Sequence, residues 1–230
     1  KSVIILAIVL SVLVTVACYL FPVQNIELTD DHKKLLNSWS LNTFIEYKVL
    51  FISIVAFLIG LSYSSVLGFL SIYADNLGLS TAGAFFFVVY ALIITFTRPF
   101  AGQIFDAKGE NAVMYPSFIF LAIGLLTLSY TTTSFMLLLS GALIGLGYGT
   151  FMSNGQAVCL KLVEPSKVSI ALSTYFIGLD LGLGFGPYAL GTVHSFLSYS
   201  GIYVLCAVLT VAVAILYSIF YKGNSGKTIN

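Results

Sequence analysis

Seven apolar runs of about 20 residues dominate this chain, and each is long enough to carry a helix across a bilayer. They cover Ser2–Val23, Val49–Ala74, Thr81–Ala101, Val113–Tyr130, Ser134–Leu160, Val168–Thr192 and Gly201–Tyr221. A lipid interior offers the backbone no hydrogen-bond partner, so a helix that satisfies its own amides is the expected form of each run. Composition agrees. Hydrophobic residues make up 59% of the chain and charged residues 8%, with a mean hydropathy of +1.02; a soluble domain carries roughly 25% charged residues. The expected fold class is an all-α membrane protein with seven transmembrane helices. Its short connections leave no room for a soluble catalytic domain, so no enzyme is expected. A net charge of +1 argues against nucleic acid as a partner, and the lipid bilayer is the first partner implied.

Lysine and arginine set the orientation. With the segment after the first run placed in the cytoplasm, Lys33, Lys34, Lys48, Arg98, Lys108, Lys161, Lys167, Lys222 and Lys227 all fall on the cytoplasmic side. Only Lys1 falls outside. This predicts a multi-pass protein of the cell membrane with a cytoplasmic C-terminus. The expected organisation is a membrane helix over 1–23, a cytoplasmic linker over 24–48, a six-helix unit over 49–221 and a tail over 222–230. The linker mixes charges with Leu35, Leu36, Trp39 and Phe44, a composition that fits either a short interfacial helix or a flexible connection. A chain that starts outside the cell without an initiator Met reads as a piece of a longer protein whose N-terminal part is missing. Thr15-Val16-Ala17-Cys18 loosely mimics a lipoprotein signal, but the apolar run continues to Phe21 and six more follow. Cys18, Cys159 and Cys206 have no CxxC spacing and read as apolar thiols, so no metal and no cofactor is expected.

The last six runs fall into two triplets. Each opens on a helix rich in small and polar residues: Ser53, Gly60, Ser64, Gly68 and Ser71 in the first, Gly141, Gly145, Gly149 and Ser153 in the second. Small residues four apart let helices approach closely in lipid. The third helix of each triplet is nearly all aliphatic and aromatic, which predicts a place at the lipid boundary. The doubled pattern is that of a three-plus-three inverted repeat.

One carboxylate stands deep inside an apolar run. Asp180 lies 13 residues past Lys167, about 20 Å along a helix. A carboxylate there costs about 2.5–3.5 kcal/mol by insertion scales, so it is usually retained for a function such as proton relay or ion coupling. Desolvation is expected to favour its protonated form. Gly178, Gly182 and Gly186 recur around it and are followed by Pro187. At 100° per residue Gly182 lies about 200° and Gly186 about 240° from Asp180, so the glycines should pack on a neighbour while the carboxylate faces elsewhere. Pro187 returns to the carboxylate face and can bend the helix. Weaker candidates for a cavity lining are Tyr63, Ser64, Asn154 and Gln156, each equally able to make a helix–helix hydrogen bond. Tyr90 and Tyr175 read as packing aromatics.

The connection after the third run reads Arg98-Pro-Phe-Ala-Gly102-Gln-Ile-Phe-Asp106-Ala-Lys108-Gly109-Glu-Asn. Its G-x-x-x-D-x-x-G spacing predicts a tight turn, glycine supplying backbone freedom and Asp106 a helix N-cap. This resembles the loop signature of the major facilitator superfamily, at the place where helices 8 and 9 would meet. Gly-x-x-x-Gly-Pro at Gly182–Pro187 is similar to that family's antiporter signature, on the pseudosymmetric helix. The family pattern prefers basic residues after the second glycine, where this chain has Glu110 and Asn111. The resemblance covers the chain from helix 6 to helix 12. It implies the C-terminal six-helix bundle of a major facilitator fold with one preceding helix, working by alternating access. Arg98, Gly102, Asp106, Lys108 and Gly109 would then form a conformational gating loop, and Asp180 would couple protons to a small-molecule substrate. A proton-coupled exporter of a small amphipathic molecule or metabolite is the leading expectation, and an importer of a sugar or other metabolite is the alternative. A retinal protein would need a mid-membrane Lys, and an intramembrane aspartyl protease a second carboxylate; neither is present.

Overall fold

The computed structural model describes residues 2–20 and 45–221. The chain divides into two compact units, Lys1–Thr43 and Phe44–Asn230. The first contains helix α1 (Ser2–Leu20), apolar along its whole length. The rest of the 24–48 linker before Ile45, including Trp39 and the expected interfacial helix, lies outside the described residues, as does 222–230.

Among the described residues the second unit holds six long helices and no strand. They are α2 (Leu50–Asn76), α3 (Ser80–Lys108), α4 (Asn111–Ser129), α5 (Ser134–Leu162), α6 (Val168–Val193) and α7 (Tyr199–Phe220). All six are long and apolar enough to cross a membrane. Two of the six helix starts, those of α5 and α7, carry side-chain caps. Thr133 accepts a hydrogen bond from the Met136 amide and Ser198 from the Gly201 amide, both at 3.3 Å. Two tight links, at Gly78 and Gly109, use positive φ angles of 69° and 83°.

α2 and α6 share the largest helix–helix contact; α4 packs on α5 and α7, and α3 on α5. The core between them is built from Ile52, Ile59, Phe86, Phe118, Phe151, Tyr175 and Tyr203. Bulky apolar side chains such as Phe85, Phe96, Phe100, Tyr188 and Ile219 project outward from the six helices. α4 is more than half buried between its neighbours but keeps an exposed apolar face with Ile119, Phe120 and Ile123, and α3 is the least buried of the six. Composition reports how greasy a helix is, not how many neighbours surround it.

Helix α5 is not regular. Its middle, Gly145–Gly149, forms a π-helical segment between two α-helical stretches. Such single-turn insertions commonly occur at functional sites because they re-aim the side chains they carry. Here the segment reads Gly-Leu-Gly-Tyr-Gly and carries Tyr148. Gly145 also admits a close helix crossing, since a side-chain carbon there would lie 3.0 Å from the Tyr90 carbonyl oxygen of α3.

Candidate functional site

The position of Asp180 follows from how α6 is seated. Gly178 faces Ser53, Gly182 faces the backbone of Phe57 and Leu61, and Gly186 faces Ser64. Ser53 adds a hydrogen bond across the contact, donating to the Thr174 carbonyl at 2.6 Å. With the glycine stripe against α2, Asp180 falls on the opposite, exposed face together with Ser173, Gly184 and Gly191. These four lie within about 40° of one another on a helical wheel. The desolvation expected for Asp180 is therefore not supplied by the described helices, which leave its carboxylate open. Pro187 departs from its expected place on that open face. Its ring packs opposite Gly68 of α2, and α6 continues through it without a break.

A group of phenols that the residue pattern alone does not assemble stacks between α5, α2 and α3. The Tyr148 ring stacks on Tyr63 of α2 with centroids 3.8 Å apart and planes 11° apart. Tyr63 in turn stacks on Tyr90 of α3 at 5.8 Å and 19°. Phe87 meets Tyr90 edge-on at 6.4 Å and 77°. Tyr63 and Tyr148 are buried, Tyr90 is half-buried and Phe87 is exposed. The three tyrosines form one stacked cluster between α2, α3 and α5. Its members come from residues far apart in sequence, and the single local signal was the glycine-flanked tyrosine in Gly-Leu-Gly-Tyr-Gly.

The other candidates divide. Arg98, Gly102, Asp106, Asn154 and Gln156 line one cleft of about 460 Å³ between α3 and α5, with Thr150 and Ser153. Two groups that the sequence treated separately are therefore neighbours. Asn154 also donates to the Thr150 carbonyl at 2.8 Å. Lys108 is exposed and does not line the cleft. Ser64 is corrected: it is fully buried, donates to the Leu61 carbonyl at 2.7 Å and packs on Gly186, so it belongs to a helix contact and not to a cavity. Tyr175 is buried and donates to the Met152 carbonyl at 3.3 Å, as a packing aromatic does.

The expected tight turn over Gly102–Gly109 is also corrected. α3 stays helical through Pro99, Gly102 and Asp106 to Lys108, so Asp106 sits near a helix C-terminus and caps no N-terminus. Only Gly109 turns the chain, with φ 83° and ψ 172°. That conformation is essentially restricted to glycine. Gly109→Ala is expected to cost about 1–3 kcal/mol, read as a lowered thermal unfolding midpoint in detergent; an unchanged midpoint would show that the link can be rebuilt.

Glu110 and Asn111, which depart from the family pattern, have defined partners. Buried Glu110 pairs with Lys161 at 3.7 Å and accepts from the Tyr221 hydroxyl at 3.4 Å. Burial and the Glu110 carboxylate push the Tyr221 phenol up from its ordinary value, which keeps it a donor. Asn111 accepts from the Tyr217 hydroxyl at 3.1 Å, and the Lys161 ammonium lies 4.0 Å over the Phe105 ring. At the other end of the α5–α6 link, Lys167 pairs with Glu46 at 3.2 Å, while the Glu46 amide donates to Thr174 at 3.0 Å. The link is held at both ends, toward α4 and α7 through Lys161 and toward α2 through Lys167. Both lysines are about half exposed, so each pair contributes well under about 1 kcal/mol and serves alignment more than stability.

Comparison with known proteins adds an independent line. The model of the Major Facilitator Superfamily matches residues 1–134 and 109–228. The multidrug resistance protein MdtG of Proteus mirabilis (strain HI4320) is 27% identical over 191 residues, covering 80% of this chain and 44% of that protein. The protein of the same name from Citrobacter koseri is 31% identical over 141 residues, 59% of this chain and 34% of the relative. That from Salmonella typhi is 27% identical over 174 residues, 73% of this chain and 43% of the relative. The chain spans less than half the length of these relatives.

Proposed function

The chain belongs to the Major Facilitator Superfamily, a family of membrane transporters and not of enzymes, and from that premise we propose that it is the C-terminal part of a proton-coupled exporter of small amphipathic molecules. The observation that carries this reading is the Asp180 carboxylate, halfway along a membrane helix and on the open face of α6. Similarity to multidrug resistance proteins supports export as the direction. The distribution of lysine and arginine supports a cytoplasmic C-terminus.

In this reading the open face of α6 meets the N-terminal half of the same polypeptide, and the two halves rock about a midplane site. A charged Asp180 favours the arrangement that keeps it in contact with water or with a substrate cation. A protonated Asp180 tolerates the arrangement that buries it. The difference between these two interaction energies is the only means by which a proton can shift the conformational balance. Because α6 is seated on α2 through backbone-close glycines and the Ser53–Thr174 hydrogen bond, any movement of Asp180 takes α2 with it. The gating role of Arg98, Gly102 and Asp106 is read from their shared cleft at the end of the bundle where Gly109 turns the chain.

The test is efflux of ethidium from cells expressing the full-length transporter, with and without a protonophore. Efflux that stops when the gradient collapses is the expected result. Efflux that persists undiminished would remove proton coupling, and no efflux at all would favour an importer of a polar metabolite.

A further inference from the structure

Lys108 stands apart from the cleft that holds Arg98 and Asp106, and a second groove ends beside it. We propose that this groove, between α3 and α4, seats one acyl chain of an anionic phospholipid of the cytoplasmic leaflet, with Lys108 holding the headgroup phosphate. The inference goes beyond proton coupling and needs only the orientation read from lysine and arginine. The groove encloses about 220 Å³ and is walled by Phe100 and Ile104 of α3 and by Val113, Pro116 and Phe120 of α4, with Leu146 of α5 also in its lining. Phe100, Ile104 and Phe120 are exposed, so the groove opens away from the core. Two hydroxyls on its walls are turned back to their own helices: Thr97 donates to the Ile93 carbonyl and Ser117 to the Met114 carbonyl, both at 2.7 Å. A hydrocarbon chain therefore meets a largely apolar wall. Lys108 lies one turn beyond Ile104 and about 40° from it around α3, which puts it at the cytoplasmic end of the groove. Its long stem can follow the apolar wall while the ammonium stays at the headgroup level. The neighbouring carboxylates are engaged elsewhere. Asp106 lines the cleft with Arg98, about 200° away around α3, and buried Glu110 pairs with Lys161. Pro116 has no amide, so the Ala112 carbonyl at the same end lacks its usual i+4 donor and can accept from a headgroup hydroxyl. Inside a bilayer an acyl chain gains nothing by leaving water, so the headgroup decides which lipid is held.

The experiment uses the full-length transporter in phosphatidylcholine vesicles that carry a trace of phosphatidylglycerol with a photoactivatable diazirine in its acyl chain. A phosphatidylcholine probe with the same chain is the comparison, and labelled peptides are identified by mass spectrometry. The phosphatidylglycerol probe is expected to label the segment Phe100–Phe120 about fivefold more than the phosphatidylcholine probe, the ratio that one lysine near a membrane surface gives. Lys108→Gln should bring that ratio close to one, and Lys108→Arg should keep it. Lys108 is exposed, so neither change disturbs the packed core. Ala112→Leu narrows the groove and should lower labelling of the segment by both probes, which ties the label to the groove and not to the membrane surface at large. Equal labelling by the two probes in the unaltered protein would overturn the proposal, as would a preference that survives Lys108→Gln. Absence of label from Phe100–Phe120 would overturn it as well and would mean that another part of the polypeptide, or a second copy, covers the groove. The readout involves no transport, so either outcome leaves the exporter reading to its own test.

Discussion

Asp180→Asn is expected to reduce gradient-driven efflux of a cationic dye to background at matched membrane levels. The substitution keeps the size and one hydrogen-bonding oxygen of the side chain and removes both its negative charge and its ability to take and release a proton. Coupling through a titratable group therefore fails completely, whereas packing on α2 is untouched because Asp180 faces away from the glycine stripe. Downhill dye movement, measured with the gradient abolished, should persist in the variant at a reduced rate. That pairing separates a coupling group from a purely structural one: a structural Asp180 would lose both activities with the protein itself. Efflux unaffected by the substitution would transfer the coupling role elsewhere in the longer polypeptide. Asp180→Glu should retain coupling, since the longer carboxylate still lies on an open face beside Gly184, where a side-chain carbon would meet no neighbouring helix among the described residues.

Gly182→Val should have the largest effect on folding. A side chain at Gly182 collides with the Phe57 carbonyl and the Leu61 amide, which are backbone atoms of α2 and cannot rotate away. The two helices must separate, at a cost toward the upper end of the usual range of about 1–3 kcal/mol for overpacking. Separation also breaks the Ser53–Thr174 hydrogen bond at 2.6 Å. Low membrane yield and a lowered unfolding midpoint in detergent are the expected readings. Gly68→Ala is the control on the same contact. There the nearest atom is the Pro187 side chain at 3.6 Å, an ordinary contact, and alanine in a helix interior gains about 0.5–1 kcal/mol over glycine. If both variants behave alike, the α2–α6 contact is looser than its geometry indicates.

Much of this architecture was open to reading from the chain alone because lipid imposes one strong rule. Every long apolar run must satisfy its own backbone, so hydropathy locates the helices to within a few residues at most ends. The direction of Asp180 relative to Gly178, Gly182 and Gly186 was equally accessible, since 100° per residue leaves no freedom once the run is helical. The end of the third helix was not. Pro99 and Gly102 read as breakers, yet α3 continues to Lys108. Proline and glycine are tolerated inside membrane helices when neighbours or local adjustment compensate the backbone.

Ser64 and Tyr148 mark the other limit. Ser64 had the composition of a cavity residue and turned out to face Gly186; Tyr148, which no local pattern singled out, stacks with Tyr63 and Tyr90 from two other helices. Periodicity states which residues share a face of one helix. It does not state which helix that face meets. The sequence by itself determined the membrane class, the helix count, the family likeness and the face on which Asp180 lies, because these follow from hydrogen-bond satisfaction and helical pitch. Only the tertiary structure decided that α6 seats on α2, that Glu110 and Glu46 hold the two ends of one link, and that three distant tyrosines stack. Those outcomes depend on side chains meeting across helices separated by tens of residues, which no local rule encodes.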